Sequence, residues 1–192
     1  DAYNVAVGYN AGVDMSTGIE NTLVGALTGD ALTTGSYNVA LGRQALSTED
    51  TGSRNTAVGY NSLSTLNFDG NGYNTAVGFS AGEVMTTGVE NVLIGGLAGD
   101  ALTSGGYNVA VGTSSLSAST TSSFNVAVGR SALATNILGS RNTAIGHQAL
   151  FTHNVGTAAD TYNTAVGYKA GTLITTGVQN TIIGGLAGDA LT

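Results

Sequence analysis

The chain has 192 residues, a formal net charge of −7, 42% hydrophobic and only 9% charged residues, with 30 Gly and no Cys, Pro or Trp. Without Cys there is no disulfide scaffold and no Cys-based metal site, and an acidic chain lacks the basic patches that nucleic-acid partners require. The hydrophobic fraction excludes a disordered low-complexity tract; no apolar run approaches a membrane span and no signal-peptide pattern is present, so membrane insertion is not expected.

The first predicted strand, Val5-Ala6-Val7, follows Asn4 and is closed by Gly8. The phrase Asn-x-x-(Val/Ile/Leu)-Gly then returns along the whole chain. Its Asn residues are Asn4, Asn21, Asn38, Asn55, Asn74, Asn91, Asn108, Asn125, Asn142, Asn163 and Asn180. Its Gly residues are Gly8, Gly25, Gly42, Gly59, Gly78, Gly95, Gly112, Gly129, Gly146, Gly167 and Gly184. Successive Asn residues are 17, 17, 17, 19, 17, 17, 17, 17, 21 and 17 apart. A fixed short period is the mark of a stacked repeat architecture. The expectation is an all-β parallel β-solenoid of about eleven coils, 17 residues each, with insertions near Leu66–Asn71 and Thr152–Thr161. At about 4.8 Å per coil the rod would be roughly 50 Å long. The array spans 1–192 as one solenoid without a domain boundary. The chain starts and stops mid-pattern, which reads as an excerpt of a longer fibrous protein.

With the Asn as position zero, position one is always Val or Thr and position three always Val, Ile or Leu. These share one face of the strand, since side chains alternate. Position two is the other face and is never polar: Ala6, Leu23, Ala40, Ala57, Ala76, Leu93, Ala110, Ala127, Ala144, Ala165 and Ile182. A strand apolar on both faces is expected to be buried on both. Positions one and three are expected to line the core, with Val7, Val58, Val77, Ile94, Val111, Val128, Ile145 and Val166 in one buried column. The position-two residues are then the expected inter-chain face, covered by other copies of the chain in a parallel homotrimer.

The rest of the coil comes in two styles. Leu46, Leu63, Leu116, Leu133 and Leu150 stand at position eight in some coils; Gly12, Gly29, Gly82, Gly99, Gly171 and Gly188 stand there in the others. The Gly coils carry Met15, Leu32, Met85, Leu102, Ile174 or Leu191 at position eleven, so the core is filled from different places. Where position two is large, position five is small: Ala26, Gly96 and Gly185. Gly at position four, and usually three residues before the Asn, marks turns. The Asn residues would stack at the coil repeat and hydrogen-bond as a ladder, or each would cap its own turn. The residue before the Asn runs Tyr3, Glu20, Tyr37, Arg54, then Tyr73, Glu90, Tyr107, Phe124, Arg141, then Tyr162, Gln179. Each block closes on an Arg coil followed by an inserted loop, giving coil blocks 1–70, 71–159 and 160–192. Such loops are natural places for binding.

No motif points to an enzyme. Gly95-Gly96-Leu97-Ala98-Gly99 lacks the Gly-Lys-Ser/Thr of a phosphate loop, and its glycines recur in phase with the coil. Asp30, Asp100 and Asp189 recur in Gly-Asp-Ala-Leu, one per block, too few for a calcium site. His147 and His153 are the only histidines, and no Ser/His/Asp set recurs. No catalytic residue, metal or cofactor is expected. Tyr9, Tyr60, Phe79 and Tyr168 at position five form an exposed strip suited to sugars, or else cover the core or an inter-chain seam.

Asn55-Thr-Ala-Val-Gly-Tyr-Asn-Ser-Leu63 and Asn142-Thr-Ala-Ile-Gly-His-Gln-Ala-Leu150 resemble repeats of phage tail-fibre and related bacterial surface proteins. Their Asn-x-Ala-(Val/Ile)-Gly core also resembles the head repeats of trimeric autotransporter adhesins, though the coil here is longer and the blocks carry loops. The resemblance covers essentially the whole chain and implies a homotrimer of left-handed β-rolls forming a stiff extracellular rod. The expected function is a structural and host-attachment segment of a trimeric phage tail fibre, with a host-surface glycan or protein as a further partner. The alternatives are a bacterial surface adhesin or extracellular filament, and an ice- or carbohydrate-binding repeat face. An ice-binding face needs an exposed Thr array, and Thr at position one alternates with Val and faces the expected core.

Overall fold

The structure, a computed structural model, describes residues 2–191. It is a parallel β-solenoid of about eleven turns, with about 17 residues per turn and no helix among the described residues. The strands are β1 (Val5–Val7), β2 (Thr22–Val24), β3 (Val39–Leu41), β4 (Thr56–Val58), β5 (Thr75–Val77), β6 (Val92–Ile94), β7 (Val109–Val111) and β8 (Val126–Val128). Then come β9 (Gly139–Ser140), β10 (Thr143–Ile145), β11 (Ala159–Asp160), β12 (Thr164–Val166) and β13 (Thr181–Ile183). All but β9 and β11 form one sheet in chain order. Its register pairs equivalent positions of neighbouring coils, as in Ala57↔Ala76 and Ala144↔Ala165 across the two insertions, so both insertions are looped out without shifting the sheet.

Outside the three-residue strands the coil is held open by unusual backbone angles. The residue before each Asn has φ between 48° and 63° in all eleven coils, although none is Gly or Asn. L-residues adopt this left-handed region at a cost. The stack offsets that cost with hydrogen bonds between coils, such as the Tyr37 N–H donating to the Ile19 carbonyl at 3.0 Å. Position four is different. Gly42 has φ 134°, and a Cβ there would lie 2.6 Å from the Gly59 carbonyl carbon, so both conformation and close approach demand Gly.

The two faces of the sheet are the reverse of the expectation. Position two points inward: Ala40, Ala57, Ala76, Ala110, Ala127, Ala144 and Ala165 are fully buried within the single chain, as are Leu23 and Leu93, with Ile182 nearly so. Ala6, in the first coil, is exposed at the end of the stack. These residues are core, and they cannot be the inter-chain face. The Val, Ile and Leu of position three point outward; Val58, Val77, Val111, Val128 and Val166 are half-buried and Val7, Ile94 and Ile145 exposed. The reason is volume. A 17-residue coil encloses a narrow lumen, which takes Ala at position two, a small residue such as Ala45, Ala81 or Ala132 at position seven, and little more than one large side chain per coil. The bulky β-branched residues are left outside.

That volume argument also explains the two coil styles. Leu46, Leu63, Leu116, Leu133 and Leu150 are fully buried. In the Gly coils the space is filled from position two of one coil in each adjacent pair. A Cβ on Gly12 would lie 2.8 Å from Leu23 Cδ1, and one on Gly29 3.0 Å from Leu23 Cδ2. Leu93 sits in the same way between Gly82 and Gly99, and Ile182 between Gly171 and Gly188. The large residue at position two therefore compensates position eight. It does not compensate position five, which lies outside.

Candidate interaction surface

The Asn side chains form a continuous rung through the stack. At each of the ten steps the backbone N–H of one Asn donates to Oδ1 of the Asn one coil earlier, from Asn21 to Asn4 at 2.8 Å up to Asn180 to Asn163 at 3.0 Å. Most Nδ2 groups donate to the same Oδ1 and to a carbonyl of the next coil, as Asn91 does to Asn74 at 3.2 Å and to Gly105 at 3.0 Å. The pattern changes beside the loops. Asn55 turns Nδ2 to the Ser53 carbonyl, and Asn142 Oδ1 accepts from the Thr161 hydroxyl at 2.7 Å. The ladder is internal and structural, and it presents nothing to a ligand.

The outward face of the sheet is different. Val and Thr at position one and Val, Ile or Leu at position three form two columns without a charged residue, and all of them are exposed or half-buried. Contiguous exposed apolar surface of this kind marks an interaction site. Thr22, Thr56, Thr75, Thr143, Thr164 and Thr181 belong to this face and not to the core.

Two more columns flank it. The residues before the Asn stack up the rod: Arg54 lies over Tyr37 at 4.7 Å and over Tyr73 at 5.9 Å, and Arg141 over Phe124 at 4.6 Å and Tyr162 at 5.9 Å. Tyr107 stacks on Phe124 with centroids 4.8 Å apart. At position five, Arg43 lies over Tyr60, Tyr60 stacks on Phe79, and His147 stacks on Tyr168. Tyr9, Tyr60, Phe79 and Tyr168 are all exposed, so the aromatic strip does not cover the core.

The inserted loops fold back onto the rod through the Arg coils. Arg54 Nε donates to Asn71 Oδ1 at 3.1 Å, and Arg141 Nε pairs with Asp160 Oδ2 at 2.9 Å. Beside them, Ser53 bridges to Asn71 and β9 pairs with β11. Leu66 is buried in the core and Phe68 packs against it.

Buried polar residues mark the inner side of these loops. Glu49 stands at position eleven with its side chain fully buried. Its Oε1 accepts from the Gly52 N–H at 2.8 Å and from the Phe68 N–H at 3.3 Å. Burial pushes its carboxyl up from 4.5 to about 7 against the pull of these donors. His153 occupies the same position in a later coil. Burial lowers its pKa, Nδ1 has no partner, and Nε2 lies 3.5 Å from Asn163 Nδ2. Between pH 4.5 and about 7 the folded Glu49 keeps a proton that the unfolded chain has lost. Its contribution to stability is therefore full below 4.5 and falls as pH rises through that window, by about 3 kcal/mol. Replacing Glu49 with Gln should raise the urea midpoint more at pH 8 than at pH 4.5. Equal shifts at both values would refute this. His153 acts in the opposite sense, losing stability as pH falls below 6.5, so the wild-type-to-variant difference, and not the raw profile, isolates Glu49.

Other candidates from the sequence lie apart. His147 is in the outer column and His153 in the core. Asp30 and Asp100 each have one buried Oδ1 without a partner, and burial raises both pKa values; Asp189 is exposed. Among the described residues no three of His, Cys, Asp and Glu come together as a metal-binding group, and no enclosed pocket is present. In comparisons with known proteins, no family model, no curated protein and no solved structure matches this chain.

Proposed function

We propose that this chain is a shaft segment of a trimeric extracellular fibre of the phage tail-fibre kind, which gives the fibre stiffness and contributes to host attachment. The observation that carries the reading is the outward face of the eleven-stranded sheet, uncharged along the whole rod, with Val, Ile or Leu throughout the position-three column and Val or Thr in the position-one column. Burying apolar surface contributes roughly 25 cal/mol per Å², so the uncovered stripe favours self-association. Parallel copies around an axis along the rod bury it in every coil at once. The outer parts of the inserted loops, 67–71 and 154–160, are then the elements available to a host-surface glycan or protein. A bacterial surface adhesin would use the same rod.

Light scattering on the purified chain tests the reading. The expected species has three times the 19.0 kDa chain mass. A folded monomer would overturn it. The outward Thr residues favour a second reading, an ice-binding face, which requires that monomer together with thermal hysteresis in a freezing assay.

A further inference from the structure

Two side-chain columns change together along the chain although they do not touch within it. One is the residue just before each Asn, the other is position five, just after the turn Gly. The three-residue strand between them alone spans roughly 10 Å, and the ring and cation contacts described above run up and down each column. Yet Arg43 stands level with Tyr37, and Arg54 with Tyr60. Arg130 stands level with Phe124, and Arg141 with His147. Every Arg of one column therefore faces an aromatic ring of the other across the same coil. Size matches as well. Glu20, Glu90 and Gln179 share their coils with Ala26, Gly96 and Gly185, the smallest residues of the second column. Internal packing does not ask for these small residues. Position five is outside, and a Cβ on Gly96 would meet nothing closer than 3.9 Å, one on Gly185 nothing within 4 Å.

We infer that the two columns are the two halves of a self-recognition seam, in which the column before the Asn of one chain meets position five of a second copy at the same level. The inference rests on the fibre reading above. In any cyclic parallel assembly with the apolar sheet face toward the axis, the leading edge of one chain meets the trailing edge of the next. Arg then lies against an aromatic ring, a favourable pairing, and Glu or Gln enters the gap over Ala or Gly. A slip of one coil would set Glu90 against Phe79 or Thr113 and break these pairings. The columns at positions one and three carry no charge and only residues of similar size, Val or Thr and Val, Ile or Leu, and would tolerate such a slip, so the flanking columns set the register.

The chain has no Cys, so an engineered pair reports the seam directly. The variant Glu90→Cys with Gly96→Cys places both thiols in one coil, too far apart to join within a chain, since a disulfide requires Cα atoms within about 7 Å. The control, Glu90→Cys with Arg130→Cys, is offset by two coils, about 10 Å along the rod. After mild oxidation the first should run as a covalent closed oligomer on a non-reducing gel, and the control as single chains. An assembled trimer that fails to cross-link, or that cross-links equally in the control, overturns the seam and leaves the fibre reading intact. A monomer in light scattering before oxidation removes both.

Discussion

Ala127→Glu is expected to unfold the coils around β8, whereas Val128→Glu, one residue later, is expected to leave the solenoid folded and to abolish the proposed association. Ala127 is fully buried in the lumen among the other position-two residues, while Val128 is half-buried on the outward face. A carboxylate at Ala127 has no water, no partner and no space. Burying an unpaired charge and overfilling a close-packed core together cost roughly 4 kcal/mol or more. In an array held by nearest-neighbour contacts, that loss is felt by the coils on both sides. At Val128 the new carboxylate stays in water in the single chain, and its cost appears only when copies assemble. Circular dichroism melts should show a large fall for Ala127→Glu and little change for Val128→Glu. Light scattering should show the monomer for Val128→Glu. The opposite pattern would return the β-branched residues to the core and the Ala column to the interface.

The same pair of residues shows where sequence reasoning stops. A period of two says which side chains share a face, and the Asn-to-Gly phrase places every strand. It does not say which face is inside. Hydrophobicity alone ranks Val above Ala, which put the wrong face in the core. The deciding quantity is the cross-section of a 17-residue coil, a property of the closed turn and not of any strand. The left-handed angles before each Asn were equally hidden, because Tyr, Arg and Glu carry no sign of them, while the strained Gly of position four was evident from its invariance across coils. Glu49 and His153 did leave a signal. They stand at position eleven, where Leu32, Met85 and Leu102 fill the core of the Gly coils. A position that is inward in half the coils is inward in the rest, so polar residues there were legible as buried. The two flanking columns could also be read from the sequence once it was clear that neither faces the lumen.

The second large effect is expected inside the Asn ladder. Asn108 uses its side chain fully. Its Nδ2 donates to Asn91 Oδ1 at 3.1 Å and to the Ser122 carbonyl at 3.0 Å. Its Oδ1 accepts from the Asn125 N–H at 3.0 Å and from Asn125 Nδ2 at 3.3 Å. Asn91, Asn108 and Asn125 are fully buried, so no water replaces a lost partner. Asn108→Leu keeps the volume and strips the Asn125 N–H and the Ser122 carbonyl of these bonds. At about 1–3 kcal/mol for each of the two orphaned buried groups, the loss should be about 2–6 kcal/mol. Asn108→Asp keeps the acceptor but loses both donations and turns a charge toward two oxygen acceptors. It should therefore be destabilised at neutral pH and partly recover in acid, where the protonated carboxyl can donate one bond. Asn10→Leu is the control. Asn10 is exposed at position six, where Leu27 and Leu97 stand in equivalent coils with the same left-handed backbone, so it should be nearly neutral. Urea unfolding of the three variants decides the matter: an Asn108→Leu chain within about 1 kcal/mol of wild type would mean that the ladder is a consequence of the stack and not one of the interactions that hold it.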